Sequence, residues 1–287
     1  MRVPPKPQTP NQTSLLGLRE VSEALGVHYM TAYRYVRTGQ LPAHLEGDVW
    51  KVHRSDVKIF LEAPKGQPGR RAEHQPQDAH LVFAPRLQAR LIAGDESGAW
   101  KVIEAAMVSG ATPNDAYLLL LAPSLAAIGD QWERGHITIA QEHIASAIAL
   151  RIIGRLGPRF TSRGQRRGTV ILGSAPGDQH SIATAILADL VRGAGFRAID
   201  LGPNTPAESF CMAAATASKL CLVGISCSTN NAARSARRVT EALRAQGYLG
   251  PIIVGGNGVR SRRAAANSGA SDWARDGIEF LAMIETV

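Results

Sequence analysis

"TVILGSAPGDQHSIATAILADLVRGAG" (Thr169–Gly195) decides the fold. An apolar, β-branched run passes through a Pro-Gly-Asp turn into a helical repeat that ends on glycines, so it reads as strand, loop and helix. Downstream the same alternation recurs. "FRAIDLG" (196–202), "LCLVGIS" (220–226), "PIIVGGN" (251–257) and a weak "SDWAR" (271–275) read as strands. "PAESFCMAAATAS", "NAARSARRVTEALRAQG" and "RSRRAAANSG" lie between them as helices. Five short strands separated by helices predict a doubly wound α/β segment with a parallel five-stranded, flavodoxin-like sheet. Ligands of such sheets sit at the carboxyl ends of the strands, beside the switch in strand order. With order 2-1-3-4-5, the loops "PGDQHSIA", "SCSTNN" and "GGNG" share one rim.

The three loops resemble the signature of the cobalamin-binding domain, D-x-H-x-x-G, then S-x-L or S-x-T, then G-G. Here the positions are Asp178, His180 and Ala183; Ser226 and Ser228; Gly255 and Gly256. A neutral imidazole is a good nitrogen ligand for cobalt, and an aspartate two residues earlier can take the other ring N–H and fix the tautomer. The resemblance implies that His180 is the lower cobalt ligand, that Ser226 bonds the benzimidazole and that the glycines line the displaced nucleotide tail. Two departures stand out. Ala183 replaces the motif glycine and Ser228 replaces leucine or threonine, and each is expected to weaken the fit.

Upstream, residues 81–160 read as four helices, a bundle. Thr112 caps a helix that starts at Pro113 and stops near Gly135, and Thr138 with Gln141 forms a T-x-x-Q capping box for the next. "DQWERGHITIAQEH" (130–143) is thus a corner between two helices. His143 shares a helical face with Ile139, Ala147 and Leu150, which predicts that it points inward and converges with Trp132 and Glu142. The spacing Trp132-x9-Glu142-His143, with "LGPNTP" after the second strand, resembles the light-sensing cobalamin regulators of the CarH/LitR type. The resemblance implies adenosylcobalamin as cofactor, with Trp132 packed on the adenosyl group and Glu142 bonded to it. It also implies His143 as a second cobalt ligand once light has removed that group.

The first segment reads as helix "GLREVSEALGV" with Leu18, Val21, Ala24 and Leu25 inward, and then helix "HYMTAYRYVRTGQL" ending at Gly39. Two strands follow around a Gly47-Asp48 turn, and last a helix capped by Ser55. That order makes a winged helix-turn-helix. The second helix carries His28, Tyr29, Thr31, Arg34 and Arg37, types that read base edges or grip phosphates, whereas Tyr33 and Trp50 read as core. The segment resembles the excisionase-like branch of the MerR-type DNA-binding domains. Its short "YRYVRTG" helix differs from the longer recognition segment usual in the CarH/LitR type.

The remaining composition agrees. Among 287 residues, 32 are Lys or Arg and 24 are Asp or Glu, a formal net charge of +8, which points to a polyanionic partner. Three cysteines without metal-type spacing suit a reducing compartment. No apolar run reaches the length of a membrane span. The expected organisation is a disordered tail (1–12), a winged helix-turn-helix (13–64), a linker (65–80), a four-helix cap (81–160) and a cobalamin-binding domain (161–287). The function read from it is a cytoplasmic, non-enzymatic, cobalamin-binding transcription regulator, homo-oligomeric, binding DNA and sensing light. The alternatives are a light-independent cobalamin sensor or antirepressor, and a corrinoid carrier for methyl transfer.

Overall fold

The computed structural model describes residues 15–27, 29–37, 41–46, 49–62, 76–161 and 164–286. Two compact units emerge, residues 1–83 with 101–112, and residues 84–100 with 113–287. The expected tail, His28, Gly39, the Gly47-Asp48 turn and the first part of the linker lie outside the described residues.

Within the first unit, the segment from Leu15 to Glu62 carries a small sheet and three helices. Strand β1 (Leu15–Gly17) runs into α1 (Leu18–Leu25), then come α2 (Tyr29–Arg37), β2 (His44–Glu46), β3 (Val49–His53) and α3 (Arg54–Glu62). The sheet order is β1-β3-β2, antiparallel throughout. β1 was not anticipated. It is three residues long and merges into a helix, so only its pairing with β3 reveals it. Leu18 and Val21 are buried as expected, but Ser22 takes the place assigned to Ala24. Its hydroxyl donates to the Arg19 carbonyl at 2.7 Å, which makes a polar side chain tolerable there. Tyr33 and Trp50 pack against this core. α3 begins at Arg54, so Ser55 lies inside its first turn rather than at the cap.

The helical segment starts with α4 (Pro76–Ile92), which opens inside the stretch expected as linker, and continues with α5 (Glu96–Val108). α6 (Pro113–Asp115), a π-helical stretch (Ala116–Leu121) and α7 (Ala122–Glu133) run on as one rod, followed by α8 (Ile139–Leu156). The π-helical phase shift falls in "AYLLLL", where every residue is apolar and periodicity cannot register it. α8 opens with the expected box. Gln141 donates its backbone N–H to Thr138 Oγ1 at 3.2 Å, and Thr138 donates its own to Gln141 Oε1 at 2.9 Å.

The sheet follows: β4 (Thr169–Ser174), α9 (Ile182–Gly193), β5 (Arg197–Asp200), α10 (Ala207–Thr216), β6 (Leu220–Ser226), α11 (Asn230–Ala245), β7 (Ile252–Gly255), α12 (Arg262–Ala266), β8 (Asp272–Ala274) and α13 (Gly277–Glu285). Its order β5-β4-β6-β7-β8, all parallel, is the expected 2-1-3-4-5. α10, α11 and α12 pack on one face, α9 and α13 on the other. α13 escaped the sequence reading because no later strand marks it as a crossover. All six residues of β4 are buried, as a central strand covered on both faces requires.

The helices that follow Pro113 dock on the α9 side. Tyr117, fully buried in the π-helical stretch, donates to Asp189 of α9 at 2.7 Å and stacks on Phe160. Burial first, and the Asp189 carboxylate second, push the Tyr117 hydroxyl far above its usual range. It therefore remains a neutral donor.

Candidate functional site, a helical corner facing a sheet rim

Ser174, Ser226 and Gly255 are register partners at the ends of three adjacent strands. The rim they form is bound together by one carboxylate. Asp178 lies in the loop after β4 with its side chain fully buried. It accepts the His180 ring at Nδ1 (2.7 Å), the His180 backbone N–H (3.2 Å) and, from the loop after β6, the Ser228 backbone N–H (2.5 Å). Burial pushes this carboxyl up. The His180 ring bond and the two backbone donors outweigh it and hold the group below the usual carboxylate range. His180 is raised above its ordinary value, first by the Asp178 bond, against burial, and then by the charges of Asp178 and Glu142.

Two consequences follow. In the neutral ring, Nδ1 carries the proton toward Asp178, which leaves Nε2 with a free lone pair. That ring is 63% exposed at the rim. Among the described residues no group of three or more His, Cys, Asp or Glu could hold a bare metal ion. A single fixed imidazole suits a metal carried in its own macrocycle.

Sequence reasoning missed the residues that hold this loop. Ser174 donates to the His180 carbonyl at 2.6 Å. Asn204, from the "LGPNTP" loop, accepts the Gly177 N–H at 2.7 Å and donates its own N–H to the Asp178 carbonyl at 2.7 Å. Its positive φ of 47° is a conformation asparagine tolerates better than most residues. That motif asparagine was the available signal.

The remaining rim residues separate by role. A Cβ on Gly255 would stand 2.6 Å from the Ala274 carbonyl, and one on Gly256, at φ 100°, 2.5 Å from that of Cys227. Both glycines are required by the protein's own backbone. Ser226 is buried and its carbonyl accepts from Ala175 at 2.9 Å. Ser228 serves Asp178 through its backbone, so this contact is indifferent to the side chain that replaced Leu or Thr. Ala183 is exposed on the first turn of α9.

The corner differs from its expected form in one respect. His143 does not point inward; its side chain is 70% exposed, with Nε2 3.7 Å from Glu142 Oε2. α8 buries Ala145, Ile148, Ala149, Ile152, Ile153 and Leu156, while Ile139, Ala147 and Leu150 are exposed with His143. The helix is apolar on both faces, so spacing alone could not choose between them. Trp132, at the end of α7, is 46% exposed. Glu142 is occupied within its own helix, accepting from Ser146 at 2.7 Å.

Of the residues expected to contact DNA, Thr31, Arg34 and Arg37 lie on α2, and Tyr29, its first residue, is exposed.

Comparison with known proteins fits this geometry. Residues 168–280 match the family model of the B12 binding domain, 84–156 match a second B12 binding domain model, and 15–64 match a helix-turn-helix domain. The HTH-type transcriptional repressor CarH of Myxococcus xanthus is 31% identical over 172 residues, 57% of this chain and 56% of that protein. Trimethylamine corrinoid protein 1 of Methanosarcina acetivorans is 31% identical over 121 residues, 40% of this chain and 55% of that one. The chain thus spans little more than half the length of either relative. A corrinoid protein of Desulfitobacterium hafniense is 26% identical over 68% of this chain and 92% of its own length. The Methanosarcina barkeri monomethylamine corrinoid protein shares the fold, with TM-score 0.64 at 18% identity over 72% of this chain and 99% of that one. These matches support cobalamin as the ligand and a helix-turn-helix regulator similar to CarH, with corrinoid proteins matching as well. No helix among the described residues is long and apolar enough to cross a membrane.

Proposed function

We propose that this chain is a cobalamin-dependent transcription regulator that senses light, and that it acts as a cytoplasmic homo-oligomer without catalysing a reaction. Residues 13–64 bind DNA, 81–160 cap the cofactor and 161–287 hold it. The observation that carries this reading is the Asp178–His180 pair, which presents one free imidazole nitrogen at the sheet rim under the charge of Glu142.

The residues present suit adenosylcobalamin. His180 would hold cobalt through Nε2, with Asp178 fixing its tautomer. Ser226, Ser228, Gly255 and Gly256 would flank the nucleotide tail between the strands. Trp132 offers an exposed indole face to the adenosyl group, and Glu142 an acceptor to its hydroxyls. When bound, the cofactor supplies a cobalt–carbon bond that light can break. Trp132 and Glu142 would be the residues that hold the adenosyl group, and His143, exposed beside Glu142, would be a second imidazole able to hold cobalt. Ligand-dependent contacts of this kind bias a two-state arrangement of helices.

The similarity to corrinoid proteins favours a second reading, a carrier for methyl transfer. The helix-turn-helix match weighs against it. A light-independent cobalamin sensor or antirepressor is the variant without photochemistry. Ultraviolet–visible spectra of the adenosylcobalamin-loaded protein before and after green light test the proposal. The reading expects a spectral change that His143→Ala alters, and loading that His180→Ala abolishes. Loading with no dependence on light would leave the light-independent sensor. Methyl transfer with a partner methyltransferase would establish the carrier.

A further inference from the structure

The sheet domain carries an arginine surface that the cobalamin reading leaves unused. Between residues 230 and 263 there are seven arginines, no lysine and a single acid, Glu241. Outside that window the domain is acidic on balance, so the charge is concentrated rather than general. α11 and α12 connect β6, β7 and β8, three consecutive strands, and both pack on the same face of the sheet. Their outer sides therefore face solvent on the same side of the sheet.

Not all seven arginines are available. Arg244 is consumed internally, donating to the carbonyls of Tyr248 and Gly250 and to Ser271. Arg237 pairs with Glu241 at 2.7 Å and Arg262 with Asp272 at 3.3 Å. Arg260 donates to the Asn257 carbonyl. Arg234, Arg238 and Arg263 are exposed and have no partner among the described residues. Their placement costs stability. Arg234 and Arg238 are like charges at i,i+4, and α11 has no acid in its first turn to oppose the positive end of its dipole. Unpaired guanidiniums held in mutual repulsion are a site waiting for anions, and arginine's planar fork matches phosphate.

We propose that the outer surface of α11 and α12 is a second nucleic-acid contact, in which Arg234, Arg238 and Arg263 grip the phosphate backbone of the duplex bound by residues 15–64. Covalent linkage to a DNA-binding segment holds phosphates at high effective concentration near this surface, so a weak, sequence-independent contact suffices. This inference rests on the DNA-binding half of the proposed function, and not on cobalamin or light. It gives the regulator a longer footprint, on the helices that follow the β6 and β7 ends where Ser226, Ser228, Gly255 and Gly256 lie.

The test is the salt dependence of binding to a random-sequence duplex by the full chain, because phosphate contacts carry no sequence preference. The triple variant Arg234→Gln/Arg238→Gln/Arg263→Gln is compared with a control of equal charge change on other exposed arginines, Arg86→Gln/Arg159→Gln/Arg197→Gln. Loss of three phosphate contacts should lower the slope of log K against log salt by about 2–3 units, with cobalamin loading unchanged, while the control keeps the wild-type slope. An unchanged slope in the triple variant, or an equal loss in the control, overturns the proposal. So does a change confined to self-association, which would assign the surface to a contact between copies of this chain. Arg34→Ala/Arg37→Ala separates the two claims. Binding that survives this change but fails in the triple variant would overturn the helix-turn-helix assignment, and with it the claim that the arginine surface is a second contact rather than the first. A wild-type chain without affinity for the duplex at low salt overturns both.

Discussion

The sheet rim and the helical corner both carry residues singled out for cobalamin, yet they are built in opposite ways. At the rim Asp178 is fully buried with three donors on it, Ser174 and Asn204 fix its loop, and Gly255 and Gly256 leave no room for a side chain. At the corner Trp132 and His143 are exposed and Glu142 is bonded within its own helix. A rim organised before binding spends little of the ligand's affinity on ordering itself. A corner left exposed gains its contacts from the ligand, and so can lose them. On this account the rim serves retention and the corner serves response.

The comparison breaks most severely at His180. His180→Ala should reduce cobalamin affinity by more than about 100-fold, beyond the effect usual for residues that only support a ligand. Equilibrium dialysis measures it, and wild-type affinity in this variant would make the rim imidazole a bystander.

Asp178→Asn tests whether the rim is organised through that carboxylate. The expected loss is about 10–100-fold. The same variant has a readout in the metal-free protein. The Asp178 bond, foremost, raises the His180 value above 6.5, so the stabilisation from that pair is complete below 6.5 and is lost as pH rises through the raised value. Asp178 behaves inversely, stabilising above 3.8 and losing its contribution as pH falls through its lowered value. NMR titration of the His180 ring should show a value above 6.5 in the wild type that drops in Asp178→Asn. An equal value in both would detach the pair.

The corner should give the smallest effect on stability. Trp132→Ala removes a half-exposed indole and Glu142→Gln neutralises a partly buried carboxylate, and each should change unfolding free energy by no more than about 1 kcal/mol. Their effect belongs in selectivity, as a smaller preference for adenosylcobalamin over a cobalamin lacking the adenosyl group. A large drop in Tm with unchanged selectivity would make the corner structural.

The same contrast explains what could be read from the sequence. The rim was legible because its chemistry sits in short loops after strongly patterned strands, so "GDQH", "SCS" and "GGN" fall into place once the strand order is known. Asn204 was hidden because its contribution is a backbone conformation and two hydrogen bonds to a distant loop. At the corner, Thr138 and Gln141 were readable as a local capping box. The orientation of His143 was not, since α8 is apolar on more than one side and only packing selects which side is covered. β1 and α13 were lost for related reasons. One exists through pairing with β3, and the other follows the last strand.

The central claim is that cobalamin at the rim controls the grip of the same chain on DNA. The most direct measurement is the affinity of the full chain for a random-sequence duplex in three states at one salt concentration: metal-free, loaded with adenosylcobalamin in the dark, and the loaded sample after green light. The account predicts that the dark loaded state differs from the illuminated one, with the difference removed by His180→Ala. Equal affinity in all three states would contradict it.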